Sequence, residues 1–449
     1  MATPLRHYGT EKPYSHPEPV TKRQFGKNVL QDFLIDPKFR NMNHGSFGVI
    51  PRPVHAARRY YQDKSEERPD VWIRYNWSQL LEGSRAAVAP LLGVDKDTIA
   101  FVPNATVGVN TVLRNLVWND DKKDEILYFN TIYAACGKTV QYMIEISRGH
   151  VSGRSVPLEY PLTDDELVAL FKKGIQDCRA AGKRPRAAVI DTVSSIPAVR
   201  LPFEALVQVC HDEGILSIVD GAQGVGMIDL KHLGTQVKPD FFITNCHKWL
   251  YTPRGCAVLH VPKHNQALMR STLPTSWGWV PSGEGDPDFI DNFAFASTLD
   301  NSNYMAVQHA VQWIQEALGG EDAVIEYMMS LNKKGGNMVA EMLGTKVLDN
   351  AEGTLTNCAM SNVLLPLGIK GRESSAKVLV DEEDAARLGD WCQKTLASDY
   401  NTWLPVTLIK GQWWTRISAQ AYLDESDYEA VGKIFLELVE RIGKGDHKK

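Results

Sequence analysis

The sequence lacks an apolar segment of the roughly eighteen residues that a membrane-spanning helix needs. It also lacks a basic excess, since 49 Lys and Arg against 54 Asp and Glu give a net charge of −5. Such a balance offers no positive field for nucleic acid or an anionic membrane, and we expect neither as a partner. Residues 1–27 lack the apolar core of a secretory signal, and we expect them to form a flexible tail or an arm laid over a neighbour.

Paired cysteines are also missing. The chain has an odd, scattered set of seven with no CxxC spacing: Cys136, Cys178, Cys210, Cys246, Cys256, Cys358 and Cys392. This pattern argues against a disulfide framework and against a structural zinc site. We therefore expect a protein of the cytoplasm that holds no metal.

Two glycine-containing stretches lack the spacing of the nucleotide-binding loops that they suggest. Residues 221–226, GAQGVG, run G-x-x-G-x-G instead of G-x-G-x-x-G. Residues 136–139, CGKT, end like a P-loop, but Ile132 stands where the first glycine belongs. Neither stretch predicts a nucleotide site.

The sequence does contain a regular alternation of short apolar runs and helical patterns from about residue 85. The runs TIAFV, EILYF, RAAVI, ILSIV, DFFIT and CAVLHV have the length of strands. Nearly continuous apolar strands between helices predict a mostly parallel sheet covered on both faces, an α/β fold. We expect a large domain at 28–325 and a smaller α+β domain at 326–449.

Residues able to do chemistry follow four of these strands, where ligands bind in such sheets. DTVSSIP follows RAAVI, and the other three ends suggest a ligand. After TIAFV, PNAT opens a helix whose N-terminus could hold a phosphate, or could simply be capped by Asn104 or Thr106. Asp220 ends ILSIV and could pair with a pyridinium nitrogen. Lys248 follows DFFIT, and lysine commonly forms a Schiff base in catalysis. The three together predict a site for pyridoxal 5'-phosphate.

The stretch VDGAQGVG followed by NCHKWLYTPRG resembles the class V aminotransferase family of fold-type I pyridoxal-phosphate enzymes. The similarity runs from NHGSFG at 43–48 to RISAQAY at 416–422. NHGSFG, PNAT, NCHKWL and SWGW are most similar to isopenicillin N epimerases, hercynylcysteine sulfoxide lyases and the enzyme of fungal loline pathways. Cysteine desulfurases usually have a serine where Asn245 stands, and the loop with their sulfur-accepting cysteine is not identifiable. The resemblance implies a seven-stranded, mostly parallel sheet in the large domain.

The resemblance also implies how the cofactor is held. Lys248 would join the cofactor's aldehyde, Asp220 would bind the ring nitrogen, and Gln223 would lie near the ring hydroxyl. The phosphate would be held by Ala105, Thr106 and His247. Ser194 or Ser195 would stand in the place of an asparagine that lies near the ring hydroxyl in desulfurases. Thr298 would reach the phosphate of a partner subunit, which implies a homodimer with a shared active site.

The substrate side of the site follows from the same resemblance. Arg416 matches the arginine that binds the α-carboxylate of an amino-acid substrate in a bidentate pair. Tyr133 would lie over the cofactor ring, either as a proton donor to the leaving group or as a stacking partner. His44 would border the substrate, or would only fix a turn. Trp277 and Trp279 are candidates for a wall of the substrate site.

The predicted reaction is β-elimination by a pyridoxal-phosphate-dependent C–S lyase. Its substrate would be a cysteine-derived sulfoxide or S-conjugate, with hercynylcysteine sulfoxide of ergothioneine biosynthesis as one candidate. An epimerase, or a Mannich-type cyclase of a loline-like fungal secondary-metabolite pathway, stays open, and an aminotransferase is less favoured. A non-catalytic protein would not need Lys248, Asp220 and Arg416 together.

Overall fold

A twisted central sheet organises the computed structural model, which describes residues 12–17, 19–285, 288–372 and 376–448. Within these residues the sheet has seven strands: β1 (Ile99–Val102), β2 (Asp124–Phe129), β3 (Val151–Val156), β4 (Arg184–Asp191), β5 (Leu216–Asp220), β6 (Phe241–Asn245) and β7 (Ala257–His260). They lie in the order β1–β7–β6–β5–β4–β2–β3. Only β7 runs antiparallel to its neighbours in this sheet. The predicted mostly parallel sheet is confirmed.

Because the other six strands run in the same direction, their carboxyl ends meet at one edge of the sheet. Strands β5 and β6 are buried almost throughout, as their apolar sequences predict. Strand β3 was not anticipated, because its sequence VSGRSV lacks an apolar run. It lies at the end of the sheet and pairs only with β2 within the described residues.

Helices cover the sheet and build the remainder of the chain. In order they are α1 (Lys27–Leu30), α2 (His44–Phe47), α3 (Arg52–Glu67), α4 (Pro69–Val71), α5 (Trp77–Leu92), α6 (Ala105–Asn115), α7 (Ala134–Ile146), α8 (Asp164–Ala180), α9 (Phe203–Glu213), α10 (Cys246–Trp249), α11 (Phe289–Ala294), α12 (Ser302–Met305), α13 (Val307–Leu318), α14 (Glu321–Leu343), α15 (Glu382–Tyr400) and α16 (Glu425–Gly443). Their ends follow local chemistry. Thr163 and Glu166 form a capping box at the start of α8, and Gly214 ends α9 in a left-handed conformation.

A smaller region with its own antiparallel sheet follows. Its strands are β8 (Met360–Leu364), β9 (Leu367–Ile369), β10 (Val378–Val380), β11 (Val406–Ile409) and β12 (Gln412–Ser418). Strands β11, β12 and β8 form the antiparallel sheet, whereas β9 and β10 form a parallel pair. The predicted smaller C-terminal α+β domain is confirmed. The limit predicted at residues 325 and 326 falls inside α14, and the domain limits stay a prediction.

The described part of the N-terminal segment lies against the body of the protein. The backbone amide of Tyr14 donates to the Tyr61 hydroxyl (3.1 Å), and Gly26 donates to the carbonyl of Ala421 (2.7 Å). The predicted tail at 1–27 also includes residues 1–11 and 18, which lie outside the described residues. Across the part of the chain that the structure describes, no helix has the length and apolar character needed to cross a membrane.

Candidate active site

Lys248 lies in α10, the single helical turn that begins as β6 ends. No described residue makes a hydrogen bond or ion pair with its ammonium group. Burial, followed by the positive charge of Arg416, lowers the pKa of Lys248 to about 8, although nearby acids oppose the shift. About one tenth of this amine is therefore neutral at pH 7, far more than for an exposed lysine.

His44 fixes the backbone of this lysine. Its Nε2 donates to the carbonyl of Lys248, and its Nδ1 accepts from the Tyr422 hydroxyl (3.0 Å). Asn41 in turn donates its side-chain amide to the same hydroxyl (2.8 Å). Burial lowers the pKa of His44 to about 3, so the ring is neutral and both nitrogens are used within the protein. These contacts favour a positioning role for His44, and its substrate contact stays a prediction.

Asp220, the last residue of β5, is held in place by two donors. The amide of Ala222 donates to its Oδ1 (2.9 Å), and the thiol of Cys136 donates to its Oδ2 (3.2 Å). Asp191, the last residue of β4, is its register partner on the neighbouring strand. Sequence reasoning placed Asp191 at a strand end but gave it no role, and it gave Cys136 no role in the site. The position of Asp191 at a strand end was a usable signal, whereas nothing in the sequence linked Cys136 to Asp220.

The N-terminus of α6 lies beside the end of β6. Asn104 caps the helix by accepting from the amide of Val107 (2.9 Å), and Asn245 accepts from the amide of Ala105 (2.9 Å). The capping alternative is thus the actual role of the Asn104 side chain. Among the described residues, the amide of Thr106 has no such partner. Together with its hydroxyl, this amide could donate to an anion.

His247 precedes the lysine and faces the next strand. Its Nδ1 donates to the carbonyl of Cys256 (2.9 Å), which fixes the tautomer and leaves Nε2 without the proton in the neutral ring. Burial lowers the pKa of His247 to about 4. Because the ring is neutral, any contact with a phosphate would be a hydrogen bond rather than an ion pair. Its role toward a phosphate stays a prediction.

Arg416 extends from β12 of the small sheet into the same region. Its Nη2 donates to Asn43 Oδ1 and Ser46 Oγ (both 2.7 Å), and its Nη1 donates to the carbonyl of Ser195 (3.0 Å). The guanidinium is buried at 6 % exposure, and its Nε has no partner among the described residues. Burial lowers the pKa of Arg416 to about 10, and no carboxylate of the described residues pairs with it to oppose this shift.

The side chains of Gln223 and Ser194 both form hydrogen bonds within the protein. The Gln223 amide donates to the carbonyl of Gly45 (2.9 Å) and accepts from the indole of Trp249 (2.7 Å). The Ser194 hydroxyl donates to the carbonyl of Pro197 (2.6 Å) within its own turn. These bonds tie together the NHGSFG, DGAQGVG and NCHKWL segments. Roles for either side chain near a ring hydroxyl stay predictions.

Four predicted site residues, Tyr133, Thr298, Trp277 and Trp279, are exposed to solvent. Tyr133 lies at the start of α7, three residues before Cys136, with 46 % of its surface exposed. Thr298 lies in the exposed segment between α11 and α12, and Trp277 is also strongly exposed. The structure does not bring Thr298 or Trp277 into hydrogen-bond contact with the residues around Lys248. Their roles stay predictions.

Comparison with known proteins shows the family to which the chain belongs. The family model Aminotransferase class-V matches residues 50–429. The chain belongs to the class-V aminotransferase family. It is 34 % identical to the L-cysteine desulfhydrase-like protein lolT1 of Epichloe uncinata, over 93 % of this chain and 96 % of that protein. It is 30 % identical to the hercynylcysteine sulfoxide lyase of Schizosaccharomyces pombe, over 91 % of this chain and 97 % of that protein.

A solved structure shares the same fold. The cystine C-S lyase C-DES, in complex with its reaction product cysteine persulfide, superposes with a TM-score of 0.69 at 19 % identity. The match covers 89 % of this chain and 97 % of that structure. The predicted fold-type I architecture is therefore confirmed.

The residues of this class-V enzyme fit pyridoxal 5'-phosphate, which is its cofactor. Lys248 supplies an amine that no described residue engages in a hydrogen bond, as an aldehyde requires. Asp220 supplies a fixed carboxylate for the pyridinium nitrogen, and the amide and hydroxyl of Thr106, in the first turn of α6, supply donors for the phosphate. The donor set therefore offers one group for each reactive part of the cofactor.

Proposed function

We propose that this enzyme is a C–S lyase that acts on a cysteine-derived amino acid carrying a substituted sulfur or a sulfoxide. Hercynylcysteine sulfoxide is the candidate that the sulfoxide-lyase relative suggests. The relatives with desulfhydrase-like and sulfoxide-lyase names match this chain over nearly their full lengths. Their names support carbon–sulfur cleavage over epimerisation or cyclisation.

Arg416 is the observation that carries the substrate class. A guanidinium buried among neutral oxygens, with no carboxylate partner in the described residues, is an uncompensated charge in a medium of low dielectric constant. A substrate carboxylate would restore the missing charge and could form a bidentate pair. The α-carboxylate of an amino acid has the matching charge and geometry.

Lys248 is the proposed base. When bound, pyridoxal phosphate stabilises the negative charge that develops on the substrate's Cα as its proton leaves. The neutral amine of Lys248 accepts that proton, and His44 holds the backbone of the lysine in place. Asp220 keeps the ring nitrogen protonated by pairing with it. Tyr133, at the start of α7, is the proposed proton donor to the leaving sulfur.

The overall reaction balances without an oxidant or reductant. The Cβ–S bond breaks with its electron pair on sulfur, which takes up a proton. The remaining three-carbon unit takes up one water molecule and yields pyruvate and ammonia. A sulfoxide substrate therefore leaves a sulfenic acid, and a thioether conjugate leaves a thiol.

A homodimer and a cytoplasmic location complete the proposal. Thr298 is exposed and makes no hydrogen bond to the Lys248 region of its own chain within the described residues, as expected of a residue that serves a partner's phosphate site. All seven cysteines are free and buried, which suits a reducing compartment. Sedimentation of the purified protein tests the dimer directly.

A substrate panel tests the activity. The purified enzyme with bound cofactor should release pyruvate and ammonia in equal amounts from cysteine S-conjugates and cysteine sulfoxides. Mass spectrometry of the same mixtures should show the matching thiol or sulfenic acid. Consumption of amino-acid substrates without a keto acid, but with inverted or cyclised products, would overturn the lyase proposal and favour the alternatives.

A further inference from the structure

Two carboxylic acids lie side by side at the sheet edge where the ring nitrogen of the cofactor is proposed to bind. Asp191 ends β4 and Asp220 ends β5, and the two are register partners in a parallel pair. Register partners on neighbouring strands point to the same face of a sheet, with strands about 4.8 Å apart. The two side chains are 4 % and 2 % exposed. They therefore share one dry environment.

The two acids differ sharply in their partners. Asp220 accepts hydrogen bonds from the amide of Ala222 and the thiol of Cys136, and both bonds favour its ionised form. Asp191 Oδ2 is buried and has no hydrogen-bond partner among the described residues. A buried carboxylate oxygen without a donor is costly, whereas a protonated acid carries no charge to stabilise.

We propose that Asp191 is a positioning residue that holds a proton, so that Asp220 alone carries the negative charge at this edge of the sheet. The inference rests on the proposed role of Asp220 at the cofactor's ring nitrogen and deepens it. Like charges on adjacent buried carboxyls cannot both be ionised at little cost. Because the donors are on Asp220, the proton belongs on Asp191.

The groups that surround Asp191 support this assignment. Burial, and then the charge of Asp220, raise the pKa of Asp191 well above its usual value, against the opposing effect of Lys248. On α7, burial and Asp220 raise the pKa of the Cys136 thiol, which therefore stays protonated as a donor. Burial and Asp191 likewise raise the pKa of Tyr160, which stays neutral. Lys248 is then the positive group that faces the pair.

A neutral Asp191 matters for the lysine. A negative charge on Asp191 raises the pKa of Lys248, as that of Asp220 does. With the proton on Asp191, only one carboxylate opposes the loss of the proton from the amine. The acid pair therefore gives the ring nitrogen a counter-charge while leaving the Lys248 amine reactive near neutral pH.

The test compares Asp191→Asn with Asp220→Asn, since asparagine resembles a neutral acid in shape. Asp191→Asn should change the dissociation constant for pyridoxal phosphate, read by fluorescence quenching, by no more than about threefold. Asp220→Asn should weaken it by at least about tenfold, because a charge-assisted contact is lost. Equal weakening by both variants would overturn the proposal.

Infrared spectroscopy of the apoprotein reads the proton directly. The wild type minus Asp191→Asn difference spectrum at pH 8 should contain the carbonyl band of a protonated carboxylic acid, and the Asp220→Asn difference should contain a carboxylate band. At this pH most of Glu321, whose pKa burial raises to about 7, is ionised and contributes little. A carboxylate band for Asp191 would overturn the proposal.

Two controls keep the test decisive. If Asp191→Asn fails to fold, as judged by circular dichroism, Asp191→Ser replaces it in the infrared comparison. The band is read without cofactor or substrate, so its absence would refute the protonated Asp191 even in an active lyase. Its presence in a protein that releases no pyruvate would instead leave Asp191 intact and refute the proposed function.

Discussion

The acidic end of the site, Asp191 with Asp220, and its cationic end, Lys248 with Arg416, handle the same problem differently. Each end places two groups of like charge close together, with Asp191, Asp220 and Arg416 buried and Lys248 half-buried. At the acidic end the proton proposed on Asp191 relieves the repulsion, whereas at the cationic end the pKa of Lys248 falls and neutral oxygens surround Arg416. Each end thus retains a charge that a ligand of opposite charge can meet. These charges suit the pyridinium nitrogen and the substrate carboxylate of the proposed function.

Among substitutions at the two ends of the site, replacing Lys248 should have the largest effect on activity. Lys248→Ala should lower kcat for pyruvate release by about 10²–10⁴-fold, the usual contribution of a general base. Borohydride reduction should attach the cofactor to the Lys248 peptide of the wild type, as read by mass spectrometry, and not to the variant. Lys263→Ala, at an exposed lysine, is the matched control. Full activity of Lys248→Ala would show that Lys248 is not the general base.

Arg416→Gln should have the next largest effect, and it should change substrate binding but not cofactor binding. The KM for an amino-acid substrate should rise at least about tenfold, because a charge-assisted hydrogen bond contributes about 1.5–3 kcal/mol. Cofactor binding, measured by fluorescence, should stay close to that of the wild type. Arg387→Gln, at an arginine with 82 % side-chain exposure, should change neither quantity. An unchanged KM in Arg416→Gln would contradict the carboxylate assignment.

The two cations should also be coupled electrostatically. Acylation of Lys248 in the apoprotein should increase as the pH rises through about 8, because only the deprotonated amine reacts. Exposed lysines should instead titrate near 10.4. In Arg416→Gln the midpoint for Lys248 should move upward, since a neighbouring positive charge that favours the neutral amine is lost. Peptide mapping of the label at each pH gives both curves, and a midpoint unmoved by the variant would show that the cations are independent.

The smallest effect is expected at Tyr422, which is linked by hydrogen bonds to Lys248 through His44. Tyr422→Phe removes the donor to His44 and the acceptor of Asn41, which should lower the free energy of unfolding by about 1–3 kcal/mol. Urea unfolding followed by circular dichroism measures this change. Tyr142→Phe, at an exposed tyrosine, should leave the stability unchanged. An equal loss in both variants would show that the His44 network adds no stability.

The elements that the sequence predicted best are those with a strong local pattern. Continuous apolar runs revealed β5 and β6. Asp220, at the end of β5, and Lys248, just past the end of β6, could be placed at one edge because parallel strands end together. Strand β3, VSGRSV, was missed because the four residues between its two valines are polar or glycine, so it forms no apolar run.

The details of the site depended on contacts between distant segments. The bond from Cys136 to Asp220 spans 84 positions, and that from His44 to Lys248 spans 204. No local pattern specifies such contacts. The resemblance could align Gln223 with a cofactor contact, yet its amide bonds Gly45 and Trp249, which only the folded arrangement reveals.

The most direct test of the central claim is a timed assay of one cysteine sulfoxide with wild-type enzyme and Lys248→Ala, both saturated with pyridoxal phosphate. The account predicts that the wild type forms one pyruvate and one ammonia for each substrate consumed, and that the variant forms pyruvate at least about 10²-fold more slowly. Substrate loss in the wild type without pyruvate, or equal pyruvate formation by both proteins, would contradict it.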